Sequence, residues 1–257
     1  MKKLVIRILI ALVVLLILGV LAVSFFLDGI VKRGIETVGP MLTKVDVKLD
    51  AVSLSILSGS GKIKGLVVGN PEGFKTPSAI QVGKASLSLL PGSVLGDKVI
   101  IKSILVEAPE ITFETDLRAN NLSKILANLQ ETTGGGSASG TNQTKANQSK
   151  ANRKLEVDDF LISGGRIHVS LTTLGGKSAT VPLPEVHLTG LGQGPDGITA
   201  AELTKRVIQA IEKEAVQASS SVVADLAKDA TGLTKDASKT ATDAASKLGL
   251  GGLLKKK

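Results

Sequence analysis

The sequence predicts a mainly β protein with an N-terminal transmembrane helix, an antiparallel β-sheet body and a C-terminal amphipathic helix. Three observations carry this prediction. An apolar run fills residues 8–27, apolar and polar residues alternate from Val45 onward, and helix-start signals stand at Thr199.

The apolar run at residues 8–27 is twenty residues long and is interrupted only by Gly19 and Ser24. At about 1.5 Å per residue such a helix spans roughly 30 Å, the thickness of the hydrocarbon core of a bilayer. A cleaved secretory signal is the alternative, with Ala22 and Ser24 as its small-residue pair. The run exceeds the usual apolar region of about 7 to 15 residues, which favours a retained anchor.

The charges that flank this run set its expected orientation. Three basic residues precede it and two, Lys32 and Arg33, follow it. Because basic flanks stay in the cytoplasm, this small excess predicts a cytoplasmic tail at residues 1–7. A tail of this length cannot hold a domain, so the working part of the protein is expected after the anchor.

The body has the period-two pattern of β-strands. Val45, Val47 and Leu49 alternate with polar residues, and the apolar parity then switches at Ala51, which predicts a bulge or bend. Turn chemistry at 70–73, 91–92 and 108–109 separates further strand candidates. These candidates are residues 62–68, 80–90, 98–107, 110–115 and 180–188.

The body also matches itself at a separation of 56 residues. Seven apolar positions between Val99 and Phe113 fall on apolar positions between Leu155 and Val169. A turn stands at the same place in each copy, at Ala108-Pro109 and at Gly164-Gly165. The match indicates a sheet extended by repeated hairpins. The alternative is the general likeness of any two β-hairpins.

These patterns divide the chain into segments. The first β-rich module covers residues 28–131 and includes a short helical stretch at 120–130, and the second covers residues 154–195. A low-complexity flexible linker is predicted between them at 132–153. An amphipathic helix is predicted at 196–230, with Thr199 and Glu202 as a capping box, followed by a polar, Lys-rich and partly disordered tail at 231–257.

Composition excludes several classes of function. The net charge of +8 comes from 31 basic and 23 acidic residues, and the excess lies on the flanks and the linker. With five Phe as its only aromatic residues, the chain lacks the stacking rings that single-stranded nucleic acids need, so no nucleic-acid partner is predicted. The absence of cysteine excludes disulfides and thiolate metal sites.

No pattern of catalytic or metal-ligating residues emerges, so we predict neither an enzyme nor a cofactor. The two histidines, His168 and His187, lie on the polar parity of their strands and lack partners at metal-ligand spacing. Glu107, Glu110 and Glu114 alternate with apolar residues, which predicts a solvated strand face.

Several segments together resemble AsmA-like proteins. They are Val68-Gly69-Asn70-Pro71-Glu72-Gly73-Phe74, the strand at 80–90, the segment 99–114 with its Glu107-Ala108-Pro109-Glu110 turn, Asn120-Asn121-Leu122, and Val181-Pro182-Leu183-Pro184-Glu185-Val186-His187-Leu188. The order of these motifs and the preceding anchor carry the resemblance, which covers roughly residues 1 to 190.

The resemblance implies a single-pass protein of the bacterial inner membrane with its body in the periplasm. It implies a sheet curled into an open, taco-like groove for acyl chains, and a role in phospholipid transport and outer-membrane homeostasis. This chain is short: about ten strands at ~4.8 Å give a groove on the order of 50 Å. A bridge across an envelope would therefore need stacked copies of this chain or another envelope protein.

A half-buried sheet with few aromatic residues and one narrow helix has little to cover its apolar face. We therefore expect a trough that binds a phospholipid or another acyl lipid. The expected lining residues are Val52, Leu54, Ile56, Leu87, Leu89, Ile101 and Leu105. The alternative is a membrane-tethered scaffold or assembly factor that acts through protein partners without lipid cargo.

Overall fold

The computed structural model describes residues 2–55, 57–116, 118–134, 154–172 and 177–247. Its helices are α1 (Lys2–Thr43), α2 (Asn121–Gly134) and α3 (Ala200–Lys247). Its strands are β1 (Val47–Lys48), β2 (Ala51–Ser55), β3 (Ser60–Gly69), β4 (Ser78–Leu89), β5 (Lys98–Glu107), β6 (Glu110–Thr115), β7 (Lys154–Ser163), β8 (Arg166–Leu171), β9 (Lys177–Pro182) and β10 (Val186–Leu191). A 3₁₀ turn, Pro91–Leu95, joins β4 to β5.

All ten strands belong to one mixed sheet that curls into a half-barrel. Several of them lie end to end as parts of longer strands. β5 and β6 both pair with β4 in a single register, with Lys84 opposite Glu107 and Gln81 opposite Glu110. In the same way β7 and β8 form one long strand, in which β7 pairs with β5 and β8 pairs with β6. On its other side β10 pairs with β7 and β9 pairs with β8, so β10 and β9 form the next long strand.

The interruptions between β5 and β6 and between β7 and β8 fall on one line across the sheet, which we call the crease and which continues through the unbroken strands β3 and β4. It passes through Gly65 of β3, Gly83 of β4, Ala108 and Gly164, which the strand registers place opposite one another. Gly65, Ala108 and Gly164 have φ values of 62°, 46° and 67°. Such left-handed residues bend a strand locally while its pairing continues on both sides. The crease therefore lets the sheet curl.

The two copies of the self-match lie side by side in parallel. Val99 pairs with Leu155 and Ile111 with Ile167, so each residue stands opposite its equivalent 56 positions later. The predicted purely antiparallel sheet is therefore wrong at two pairings. The prediction of repeated hairpins is also wrong, because β5 and β6 continue one strand and do not pair with each other. A parallel pairing needs a long crossover, and residues 116–153 with α2 supply it.

Other boundaries differ less from prediction. The strand expected at 180–188 is divided into β9 and β10, and α2 ends four residues later than expected. The start signal of α3 is confirmed, because the Thr199 hydroxyl accepts a hydrogen bond from the Glu202 amide at 3.1 Å. α3 continues to Lys247, beyond the predicted end at residue 230. Residues 135–153 of the predicted linker and residues 248–257 of the predicted tail lie outside the described residues.

The hydrophobic core lies between one face of the sheet and the helices α2 and α3. Leu122, Ile125 and Leu129 of α2 are buried at the helical spacing that places them on one stripe. The first half of α3 contributes Ile208, Ile211 and Ala215. The sheet contributes Ile80, Val82, Ile111, Phe113, Val157, Phe160, Ile162, Ile167, Val169 and Val186.

The last part of α1 covers the free edge of the strand formed by β1 and β2. The Asp28 carboxylate accepts a hydrogen bond from the Leu54 amide at 2.7 Å, and the Glu36 carboxylate accepts one from the Leu49 amide at 3.3 Å. Between them, Lys32 donates to the Asp50 carbonyl at 2.9 Å. Residues four apart share one face of a helix, so α1 satisfies this edge with a single row of charged side chains.

The backbone of α1 includes the predicted anchor at residues 8–27. Among the described residues, no helix has the length and hydropathy expected of a membrane span. The side chains of residues 16–25, in the middle of the predicted anchor, are not among those described.

Candidate functional site

A row of apolar residues crosses the sheet, one from each of five adjacent strands. Leu54 pairs with Gly61, Gly61 with Leu87, Leu87 with Ile104 and Ile104 with Phe160. Residues paired in this way face the same side of a sheet. We call these five residues the apolar row. Phe160 belongs to the core, whereas Leu54 and Leu87 are only half-buried.

Leu54 and Leu87 converge over Gly61. A methyl group on Gly61 would lie 2.9 Å from Leu54 Cδ2 and 2.9 Å from Leu87 Cγ, closer than real contacts allow. Glycine at this position therefore lets the two leucines close over β3 and form a continuous apolar floor.

This floor extends beyond the packed core. From β5, the side chains of Ile101, Ile104 and Val106 pack against the core cluster. By contrast, the side chains of Leu54, Leu87 and Leu89, which are among the described residues, do not pack against that cluster. The apolar face of the sheet thus continues past the area that α2 and α3 cover.

The structure brings most of the predicted lining residues to this face. Leu54 and Leu87 belong to the apolar row, and Leu89 pairs with Ile101 one step along the strands. Val52 lies in the neighbouring row and is buried, with 7% of its surface exposed. Ile56 lies outside the described residues.

Leu105 is placed differently from the other lining residues. It pairs with Ser86 on one side and with Leu161 on the other. Because successive strand residues point to opposite faces, Leu105 faces away from its neighbour Ile104 and from the apolar row.

The opposite face of the sheet carries ion pairs between neighbouring strands. Lys84 pairs with Glu107 at 2.6 Å, and Lys102 pairs with Asp158 at 2.8 Å. The hydrogen bond and the charge of Asp158 raise the pKa of Lys102 above its ordinary value. Ion pairs are therefore a feature of this face, whereas the apolar row has no charged side chain.

Glu110 is the centre of one group of charges on this polar face. Arg166 donates two hydrogen bonds to the same Glu110 oxygen, at 2.7 and 3.0 Å, and His168 contacts its other oxygen. The Arg166 hydrogen bonds are the main cause that lowers the pKa of the Glu110 carboxyl below its ordinary value, and His168 adds to the effect. His187 forms a separate pair with Asp159 at 2.6 Å.

Glu114 contradicts the prediction of a solvated strand face, because its side chain is fully buried. Its carboxylate accepts hydrogen bonds from the Lys75 amide at 2.7 Å, from the Thr76 amide at 2.8 Å and from the Thr76 hydroxyl at 2.5 Å. The loop between β3 and β4 folds over this part of the sheet, and Glu114 satisfies its backbone donors.

Two asparagines complete this buried network. The buried Asn121 side chain donates to the Asn70 side chain at 2.8 Å and to the Thr112 carbonyl at 2.7 Å, and it accepts from the Glu114 amide. Asn70 in turn donates to the Thr76 carbonyl at 2.8 Å. Two of the motifs that carry the AsmA-like resemblance, around Asn70 and Asn121, are thus hydrogen-bonded to each other. We call the network of Asn70, Thr76, Glu114 and Asn121 the clasp.

Metal sites and surface clefts are two further features that could carry chemistry in the described part of the chain. No group of three or more His, Cys, Asp or Glu side chains within it is placed to hold a metal ion. A shallow surface cleft of about 580 Å³ lies where the end of α1 meets β1 and β3. It is lined by mixed polar and apolar residues, among them Lys44, Asp46, Val67 and Glu72.

Comparisons of the chain with protein-family models, with curated proteins and with solved structures give no match. The AsmA-like resemblance therefore rests on the sequence motifs quoted above.

Proposed function

We propose that this protein is a membrane-anchored, AsmA-like envelope protein that binds or shuttles lipid acyl chains along its apolar row. In this role it contributes to phospholipid transport and outer-membrane homeostasis. One observation carries the proposal: Leu54 and Leu87 meet over Gly61 on the core face of the sheet, beyond the area that α2 and α3 cover.

The energetics favour an acyl chain as the occupant. From β2 to β5 the apolar row crosses three strand spacings, roughly 14 Å. Each methylene that leaves water on such a surface contributes about 0.8 kcal/mol, so roughly ten methylenes contribute about 8 kcal/mol, the free energy of micromolar binding before the cost of ordering the chain. The row presents no charged side chain, which suits a hydrocarbon tail better than a polar ligand.

Membrane anchoring through residues 8–27 is part of the same proposal. The described side chains between residues 9 and 15 of α1 are apolar and exposed around the helix, including Leu9 at 61%, Leu12 at 64% and Leu15 at 70%. A helix that is apolar on all sides needs an apolar environment. The proposed location is the bacterial inner membrane, with a single pass and the sheet in the periplasm.

Native mass spectrometry of the purified full chain tests the proposal. After exchange into a lipid-free detergent, the wild-type chain is expected to retain phospholipid. Leu87→Asp places a charge in the apolar row and should reduce retention at least tenfold. Leu105→Asp is the matched control, because the same change on the opposite face should leave retention unaltered.

Equal retention by the two variants, or no retention by the wild-type chain, would contradict lipid binding by the apolar row. Circular dichroism of each variant checks that the sheet is intact. Leu87→Asn serves as a milder variant if Leu87→Asp unfolds.

A further inference from the structure

Two neighbouring turns at one end of the sheet expose apolar side chains. Leu57 stands in the turn between β2 and β3 with 81% of its surface exposed, and Leu90 follows β4 with 44% exposed. The turns are joined by a hydrogen bond from the Leu89 amide to the Gly59 carbonyl at 2.7 Å. A methyl group on Gly59 would lie 3.0 Å from Pro91 Cγ. We call Leu57 and Leu90 with these turns the apolar tip.

The apolar tip points toward the N-terminal half of α1. Helix α1 and the strand of β1 and β2 run in opposite directions, because Glu36 bonds to Leu49 and Asp28 bonds to Leu54. Beyond Leu54 the strand leads into the turn with Leu57. Before Asp28 the helix leads back into the apolar run that begins at residue 8. The apolar tip thus lies beside the C-terminal end of the proposed anchor, near residue 27.

Lysines stand behind the apolar tip on the polar face of the sheet. Lys62 and Lys64 follow the turn along β3 at alternate positions, and both are exposed. Among the described residues neither forms a salt bridge, in contrast to Lys84 on the neighbouring strand. Apolar side chains at a tip with cations set back from it match the layered chemistry of a bilayer, where acyl chains lie beneath anionic headgroups.

We propose that the apolar tip inserts into the boundary between headgroups and acyl chains of the bilayer, next to α1. This inference rests on the proposed membrane anchoring. It adds that the sheet meets the bilayer at a fixed end, the end where Leu87 and Leu54 lie within three residues of Leu90 and Leu57. Acyl chains would then reach the apolar row without crossing water.

Site-directed fluorescence on the full chain tests this insertion. The chain has no cysteine, so Leu57→Cys and Leu90→Cys each create a single labelling site for an environment-sensitive fluorophore. The labelled chain is reconstituted in phosphatidylcholine and phosphatidylglycerol vesicles that carry spin-labelled acyl chains. Met41→Cys is the matched control, because Met41 is an apolar residue 58% exposed that lies about 20 Å farther along α1 than Asp28.

Labels at positions 57 and 90 are expected to be quenched at least threefold more than the label at position 41, with blue-shifted emission. Equal quenching at all three positions in a chain that floats with the vesicles would overturn insertion of the tip. It would leave lipid binding by the apolar row standing, because the mass spectrometry experiment measures that separately. A chain that fails to float with vesicles would overturn both the anchor and the inserted tip.

Discussion

Ala108 and Gly164 occupy equivalent places in two parallel strands, and both have the left-handed backbone of the crease, with φ values of 46° and 67°. The two positions are joined through their neighbours, because the Ala108 amide donates to the Ser163 carbonyl at 2.8 Å. A side chain at such φ values costs roughly 1 to 2 kcal/mol, which Ala108 bears and Gly164 avoids. The crease is therefore strained in one copy of the repeat and relaxed in the other.

Exchanging the residue types at these two positions is expected to change stability in opposite directions. Ala108→Gly should raise the free energy of unfolding by about 0.5 to 1 kcal/mol, because relief of strain exceeds the added freedom of the unfolded chain. Gly164→Ala should lower it by about 1 kcal/mol. Its new methyl group has room, with Ala108 Cβ the nearest neighbour at 4.0 Å. Urea unfolding measures both, and destabilisation by both changes would contradict a strained crease.

The buried carboxylate of Glu114 is expected to be essential for the loop between β3 and β4. Glu114→Gln replaces one accepting oxygen with an amide that faces backbone donors at Lys75 or Thr76. We expect a loss of about 2 to 4 kcal/mol in the free energy of unfolding, typical of buried donors left unsatisfied beside a removed charge. Glu72→Gln, an exposed change in the same loop, is the control. Similar, small losses from both variants would show that the clasp adds little.

The group of charges around Glu110 is expected to make a small, pH-dependent contribution to stability. Arg166 holds the pKa of the Glu110 carboxyl lower in the folded chain than in the unfolded chain. The contribution is therefore full above the unfolded-state pKa and is lost as the pH falls through the folded-state pKa. Because the group is partly exposed, Glu110→Gln should cost at most about 1 kcal/mol at pH 7.

Urea unfolding of the wild-type chain and Glu110→Gln at several pH values checks this dependence. The difference between them should shrink as the pH is lowered from 7 to below 4. A difference that is constant across this range would mean that the charge of Glu110 is not its source.

Local sequence patterns predicted the strands well but not how all of them pair. The bounds of β5 and β6 match the predicted strands at 98–107 and 110–115. The parallel pairing was missed because alternation sets which face a residue occupies, and it carries no information on strand direction. Ala108-Pro109 and Gly164-Gly165 have the turn chemistry of hairpins, and the same residue types serve a bend that keeps the strand in line.

The apolar row was predictable only where the strands keep a regular alternation. Leu54 and Leu87 lie on the face that period two indicates. Ile101 and Leu105 have the same parity, yet they face opposite sides, because the pairing of β5 with β7 stops at Ile101 and resumes at Ile104. Pairing with β4 shifts register in the same place, between Ser88 and Leu89. An irregularity of this kind leaves no glycine or proline signal in β5.

Burial of Glu114 was also beyond local patterns. Its neighbours alternate as on a solvated strand face, and the cover comes from a loop about forty residues earlier in the chain, through Lys75 and Thr76. The sequence feature related to this burial is the pair Asn70 and Asn121, whose hydrogen bond joins segments 51 residues apart. Only the assembled structure shows that they meet.

Photocrosslinking in intact cells tests most directly whether acyl chains occupy the apolar row. A diazirine amino acid is placed at Leu87 in one full-length chain and at Leu105, on the opposite face of the sheet, in another. Ultraviolet irradiation followed by mass spectrometry should give lipid adducts at position 87 at least tenfold more often than at position 105. Equal yields at the two positions, or adducts to protein alone at position 87, would contradict lipid binding by the apolar row.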